Sequence, residues 1–338
     1  MKYRSLGQTD IRVSEIGLGC QSLGGGLYHC SKNASIAVVH KALDEGITFF
    51  DTSDHYSQGL SEQWLGEALK GRRHQVVLAT KAGTRYTSLG DMAGRARPLL
   101  RTVSPLLRPL KLAFHRMRAT QKRQDFSPAY VQHAVEASLK RLDTDYLDLF
   151  QLHKPMASEL VTGNWQEVVD NLKEQGKIRS YGISCSNVEN ALLCLDRRGL
   201  ASIQIGISLL DLEAFPRLLE RARERSVSVI ARNPRAQGYL TADYGDIMAE
   251  TYARNNAEVE RKRRRAMRLS FLANESRTLA QAALQFVLGL PGVTTAIPRA
   301  INVSQLLENL GALTAQPLTS EEVDKILAAR HEDDLGAP

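Results

Sequence analysis

The chain has 338 residues, 43% of them apolar, and 44 basic against 37 acidic side chains for a formal charge of +7. That length and apolar share can bury a large core, in one α/β barrel or in two smaller domains. No apolar run approaches the ~20 residues that cross a bilayer, and Met-Lys-Tyr-Arg-Ser-Leu-Gly at the start lacks the apolar centre of a signal peptide. Cys20, Cys30, Cys185 and Cys194 form no C-x-x-C pair and no zinc spacing, so we expect reduced thiols, no metal, no membrane partner and a cytoplasmic location.

Residues 2–13 alternate around Gly7-Gln-Thr-Asp10 as a small hairpin, and Ile16-Gly-Leu-Gly19 follows as a short strand. Gly17-x-Gly19 is not a dinucleotide fingerprint, because no helix-forming run follows it. Tyr28-x-x-x-Lys32 lies too early in the chain to be the catalytic pair of short-chain dehydrogenases. A β-α rhythm begins at residue 33. Helix 34–45 ends at Gly46, and Ile47 to Phe50 form an apolar strand that places Asp51 at its carboxyl end and Tyr56 on the loop beyond. Ser61 reads as the N-cap of helix 62–69, Val76 to Lys81 as a strand, and Ser127-Pro128 as the opening of a helix through Leu142. Tyr146-Leu-Asp-Leu-Phe-Gln-Leu-His153 is a strand ending on histidine.

Eight strands emerge, at 16–19, 47–51, 76–81, 147–153, 180–184, 203–207, 227–232 and 293–297. Eight β-α units predict a closed (β/α)8 TIM barrel spanning 1–338 as one domain, with an N-terminal hairpin and long insertions at about 82–126 and 239–276. An open doubly wound sheet is the alternative, but nothing marks a switch point. In a barrel the active residues sit at the carboxyl strand ends, here Asp51, Lys81, His153, Ser184, Gln204, Arg232 and Arg299.

Four residues at that rim suit carbonyl reduction. The Tyr56 phenol is a poor acid near neutrality until an ammonium, Lys81, stabilises its anion. Asp51 offsets the cost of holding that ammonium inside a barrel mouth, and the His153 imidazole can orient a carbonyl by hydrogen bonding. Each residue alone has an ordinary structural explanation; their convergence on one rim does not.

The chain resembles the aldo-keto reductase superfamily over essentially its full length. The resemblance rests on Gly46-Ile-Thr-Phe-Phe-Asp-Thr-Ser-Asp-His-Tyr-Ser, Ser61-Glu-x-x-Leu-Gly-Glu-Ala-Leu69 and Leu78-Ala-Thr-Lys81. It rests equally on Ser138-Leu-Lys-Arg-Leu-x-Thr-Asp-Tyr-Leu-Asp-Leu149 with His153, and on Lys177-Ile-Arg-Ser-Tyr-Gly-Ile-Ser184. It implies reversible reduction of an aldehyde or ketone with NADPH, NADH being the second choice, and a catalytic tetrad of Asp51, Tyr56, Lys81 and His153. By the same resemblance Gly19, Asp51, Ser184 and Gln204 belong to the nicotinamide end. Cys185 stands where asparagine is usual, and Asn187 replaces it only if the loop is shifted. Arg232, Asn233 and Gly238 belong to the loop along the nicotinamide and pyrophosphate, with Arg232 where many relatives stack an aromatic ring. Arg299 and Gln305 match the 2′-phosphate motif, where Gln305 replaces a common basic residue, and Glu308 and Asn309 match the adenine contacts.

Between 95 and 123, Arg95, Arg97, Arg101, Arg108, Lys111, Arg116, Arg118, Lys122 and Arg123 occur with no acid. Leu106, Leu107, Leu110, Phe114 and Met117 fall near helical spacing there, which suggests a lid that recruits an anionic or sugar-derived carbonyl compound; Pro98, Pro105 and Pro109 equally suit a solvated loop. No aromatic residues interleave with the charges to stack bases, so nucleic acid is not an expected partner. A cofactor-sensing binding subunit is the alternative to an enzyme, and the intact tetrad argues against it. Substrate identity and oligomeric state are not legible in the sequence.

Overall fold

The computed structural model describes residues 1–25, 30–86, 122–214, 216–241 and 256–334. A hairpin, β1 (Tyr3–Ser5) with β2 (Arg12–Ser14), opens the chain. β3 (Leu18–Gly19), β4 (Phe49–Asp51) and β5 (Val77–Ala82) begin a parallel sheet. A second hairpin, β6 (Thr84–Tyr86) with β7 (Lys122–Gln124), interrupts it. β8 (Leu147–His153), β9 (Ile178–Ser184), β10 (Leu200–Gly206), β11 (Ser228–Arg232) and β12 (Val293–Ile297) complete it, each beside its predecessor in the sheet.

The sheet closes on itself. Gly17 N–H donates to Ala296 O at 2.8 Å, Gly19 N–H to Pro298 O at 3.0 Å, and Ala296 N–H to Glu15 O at 2.9 Å. β12 thus lies against β3 and the eight parallel strands have no free edge, as expected of a TIM barrel. Helices α1 (Lys32–Asp44), α2 (Leu60–Ala68) and α3 (Pro128–Leu142) pack outside. Outward-facing Phe50, Leu78 and Phe150 share a core with Val38, Leu65 and Val135 of those helices.

Period-two alternation makes the inward face of the strands. Towards the bottom it is apolar: Phe49, Val77, Ala79, Leu149 and Ile230 form a cluster sealed by Leu6, Ile11 and Val13 of the N-terminal hairpin, and Ile297 at the end of β12 joins that cluster to the cleft above. Each Val, Leu, Ile or Phe side chain among them contributes roughly 1.5–3 kcal/mol by burial. One pleat higher the same face turns polar, with Phe49 succeeded by Asp51, Ala79 by Lys81, Leu149 by Gln151 and His153, and Ile230 by Arg232. The active rim is that change of character.

Helices α4 (Ala157–Thr162), α5 (Trp165–Glu174), α6 (Val188–Cys194) and α7 (Arg217–Glu224) continue the outer layer. α8 (Asn256–Arg268), α9 (Leu279–Gly289), α10 (Val303–Gly311) and α11 (Ser320–Asp334) follow. Two expectations need correction. Ser61 is not a cap: α2 starts at Leu60 after a left-handed Gly59, and the Ser61 hydroxyl is buried, donating to Cys20 O at 2.7 Å. The stretch 239–276 is not only loop, since it contains α8. The apolar stripe at 106–117 and Tyr28 lie outside the described residues. Among the described residues no helix is long and apolar enough to cross a membrane.

Candidate active site

Asp51 ends β4 and Lys81 stands near the end of β5, both buried. Lys81 Nζ donates to Asp51 Oδ2 at 2.5 Å and to Thr52 O at 2.8 Å, and lies 5.1 Å from the centroid of the Tyr56 ring. Burial pulls the Lys81 pKa below the usual lysine value, and Asp51 counteracts it. The other carboxylate oxygen, Asp51 Oδ1, accepts from Gln151 Nε2 and Gln204 Nε2, each at 2.9 Å. With both oxygens engaged, the buried ion pair carries the additional hydrogen bonds that such a pair needs.

His153 ends β8. Its pKa is held well below the ordinary imidazole value, first by burial and then by the charges of His55 and Lys81, which favours the uncharged ring. Its edge meets Tyr56 with centroids 6.1 Å apart. The Ser53 hydroxyl is the hub beneath it, with His153 Nδ1 and His55 Nδ1 both at 3.1 Å, Lys81 O at 3.0 Å and Asp54 Oδ1 at 3.2 Å. Asp54, His55 and His153 bring three side chains of metal-ligating type within 4.8 Å of one another around that hydroxyl. Burial, and then the Glu62 charge, push the Asp54 carboxyl up to about 7.

A cleft of about 460 Å³ joins these groups to the opposite rim. Asp51, Tyr56, His153, Ser184 and Gln204 line its inner end; Gly19, Arg232, Asn233, Gly238 and Arg299 line the rest. Lys81 lies beneath it. Ser184 Oγ donates to Gln204 Oε1 at 3.2 Å. Cys185 is buried against Cys194, while its carbonyl accepts from Arg232 Nη2 at 3.0 Å. Asn187 caps α6, accepting from Asn190 N–H, so its side chain is already engaged at the helix end.

The three remaining expected residues stand on α10, off this cleft. Gln305 Oε1 accepts from Ile301 N–H at 3.2 Å, and Glu308 Oε1 accepts from Thr278 Oγ1 at 3.4 Å. Asn309 Nδ2 donates to Arg299 O at 3.2 Å, which also accepts from Arg235 Nη2 at 2.7 Å. Ser53, His55, Gln151, Lys154 and Arg235 were not singled out from sequence. Only Gln151 had a usable signal: it lies two residues before His153 on one strand, hence on the same face.

The rim fits a nicotinamide dinucleotide by its own chemistry. Arg232, Arg235 and Arg299 supply cations for phosphates along one wall. Among the described residues, Arg232 Nε and Asn309 Oδ1 are buried polar atoms without a protein partner, and such atoms ordinarily find one.

Comparison with known proteins agrees with this architecture. The sequence model of the aldo/keto reductase family matches residues 15–331. The chain is 32% identical over 340 residues to the uncharacterized oxidoreductase YqkF of Bacillus subtilis (strain 168), covering 98% of each. Among solved structures it is similar to the holo form of aldo-keto reductase AKR11C1 from Bacillus halodurans, with a TM-score of 0.75, 32% identity, and 97% and 96% of the two chains covered. It is also similar to an aldo/keto reductase from Klebsiella pneumoniae in complex with NADP and acetate, with a TM-score of 0.66, 25% identity, and 93% and 90% covered. The chain belongs to the aldo/keto reductase family and is an NAD(P)H-dependent oxidoreductase.

Proposed function

We propose that this protein reduces an aldehyde or ketone to an alcohol with NADPH, and that Tyr56 gives the proton to the carbonyl oxygen. The observation that carries the reading is the buried Lys81–Asp51 pair beside the Tyr56 ring. Two Lys81 protons bond Asp51 and Thr52 O, which leaves the third for Tyr56 and a lower cost for its phenolate. In this reading the Ser53 hydroxyl, 3.1 Å from His153 Nδ1, turns its one proton to that nitrogen. His153 then carries its own proton on Nε2 and donates to the substrate oxygen, orienting it toward Tyr56.

Ser184 and Gln204 would hold the nicotinamide carboxamide, with Arg232 against the ring and Asn233, Arg235 and Gly238 along the pyrophosphate. Arg299 would take the 2′-phosphate, its planar fork suiting that anion and favouring NADPH over NADH. Gln305, Glu308 and Asn309 would flank the adenosine end. A dihydronicotinamide held by these residues would be the source of the hydride for the carbonyl carbon.

Tyr56→Phe tests the assignment. Turnover with NADPH and a carbonyl panel should fall at least ~100-fold, because a general acid contributes about that much. NADPH affinity by fluorescence titration should stay within a few-fold, since the phenol acts in the transition state. Full retained turnover, or equal loss of binding and turnover, contradicts it.

A further inference from the structure

The loop after β4 carries Ser53, Asp54 and His55 in a row, and the tetrad uses none of them. Its backbone is pinned on both sides of Asp54: Asp54 N–H donates to Lys81 O at 3.0 Å, and Tyr56 N–H to Ser53 O at 3.1 Å. His153 meets this loop from the end of β8, its ring centroid 4.8 Å from that of His55. One carboxylate and two imidazoles are thus brought together by two separate strands, with a ligand atom of each within 4.8 Å of the others.

The cluster has the composition of a transition-metal site and nearly its dimensions. Ligands about 2.1 Å from a tetrahedral zinc stand ~3.4 Å from one another. Ser53 Oγ already lies at such a spacing from each member, 3.1 Å from His153 Nδ1 and from His55 Nδ1 and 3.2 Å from Asp54 Oδ1. The three ligand atoms must close by at most about 1.4 Å to reach it, a side-chain rotation on a backbone already fixed. Two imidazoles and a carboxylate suit zinc, and they offer too few oxygens for calcium or magnesium. A second layer of support is present, since Tyr130 OH donates to Asp54 Oδ2 at 3.4 Å. His55 and His153 line the catalytic cleft, which gives a cation its way in.

Charge sets the strength. The Lys81 ammonium close by is paired with Asp51, and Glu62, whose charge reaches Asp54, is paired with Arg141. Asp54 alone therefore opposes the charge of the ion, which makes the site weaker than a structural zinc centre.

We propose that Asp54, His55 and His153 form a binding site for a zinc-class divalent cation, with the fourth position on the side of the Ser53 hydroxyl. A cation on His153 Nδ1 leaves that ring its proton on Nε2, the tautomer the reductase reading uses, and Ser53 keeps Lys81 O as its acceptor at 3.0 Å. The site is thus compatible with that reading and does not depend on it.

The test titrates zinc into untagged, chelator-stripped protein against a chromophoric chelator at pH 8, where the Asp54 carboxyl, raised to about 7, is mostly ionised. Wild type should bind one zinc with a Kd of roughly 10 µM or tighter, and zinc but not magnesium or calcium should raise its melting temperature. His55→Gln and Asp54→Asn should each weaken binding at least ~10-fold, with cooperative melting in chelator showing that both variants are folded. Cobalt bound in place of zinc should show the d–d bands of nitrogen and oxygen ligation and no thiolate charge-transfer band, which separates this site from the Cys185–Cys194 pair. No binding at about 1 mM zinc, binding that neither substitution weakens, or thiolate ligation overturns the proposal.

Discussion

Asp54 shows how much a single rim residue is set by its surroundings. Its carboxyl, raised to about 7, binds a proton more tightly in the fold than in the unfolded chain, where an aspartate titrates near 4. Between those values the folded state holds the extra proton, so stability falls as pH rises through about 4 to 7 and is level above. Asp54→Asn lacks that titration. Relative to wild type, the variant should gain up to roughly 4 kcal/mol between pH 4 and pH 8, about three pKa units at ~1.4 kcal/mol each, read as the difference between two urea-denaturation series. A constant difference across pH would contradict the shift. The clustering of Asp51, Lys81 and His153 was legible at this scale because each stands at or next to the end of a strand readable from its apolar run. Ser53 and His55 were not: a serine and a histidine in a turn are ordinary, and only the folded loop places the hydroxyl between two imidazoles.

At the scale of elements, the barrel is tied on its outside by Asp148 at the start of β8. Asp148 is buried; its Oδ2 accepts from Arg73 Nη2 at 2.8 Å and from Leu78 N–H at 2.9 Å, and its Oδ1 accepts from Arg179 Nη1 at 2.8 Å. One carboxylate thus joins β5, β8 and β9. Asp148→Ala should cost about 3 kcal/mol in chemical denaturation, because it removes the carboxylate partner of Arg73, one of the two carboxylates on Arg179, and the acceptor of the buried Leu78 N–H together. kcat per folded molecule should stay near wild type, since Asp148 is far down the strand from His153. A loss below about 1 kcal/mol would mean that the arginines find water instead. The strands were readable as β-branched and apolar runs, with ends within a few residues. α8 was not, because nearly half of it is arginine and lysine and few of its residues are apolar. Its buried positions are sparse, Ala266 within it and Leu269 just beyond; a Glu258–Lys262 pair is half-buried and a Glu260–Arg264 pair is exposed. Ser61 misled for a related reason: a serine near a helix start is usually a cap, but here Gly59 supplies the turn and frees the hydroxyl for the core.

At the scale of the whole molecule, closure of the sheet makes the chemistry. Residues separated by more than 150 positions, Asp51 and Gln204, share a hydrogen bond only because the strands converge around one axis. The count of β-α units foretold the barrel, and the barrel foretold which end would be polar. Which polar atoms would meet, and which would turn away, depended on side-chain packing. Gln305 and Glu308, for example, bond Ile301 N–H and Thr278 in the fold, contacts that their spacing in the chain does not foretell. The resulting mouth is cationic on both sides, with arginines after the last two strands and Lys154 after the fourth.

The central claim is that this mouth moves a hydride from NADPH to a carbonyl carbon with Tyr56 as the acid. NADPH carrying deuterium at the transferable C4 position, incubated with an aldehyde and the protein, tests it most directly by mass spectrometry and NMR of the alcohol. The account predicts deuterium on the carbinol carbon with wild type and none above background with Tyr56→Phe. Tight NADPH binding by wild type with no label transferred to any aldehyde or ketone would contradict it, and would leave the protein a binder of the cofactor rather than a reductase.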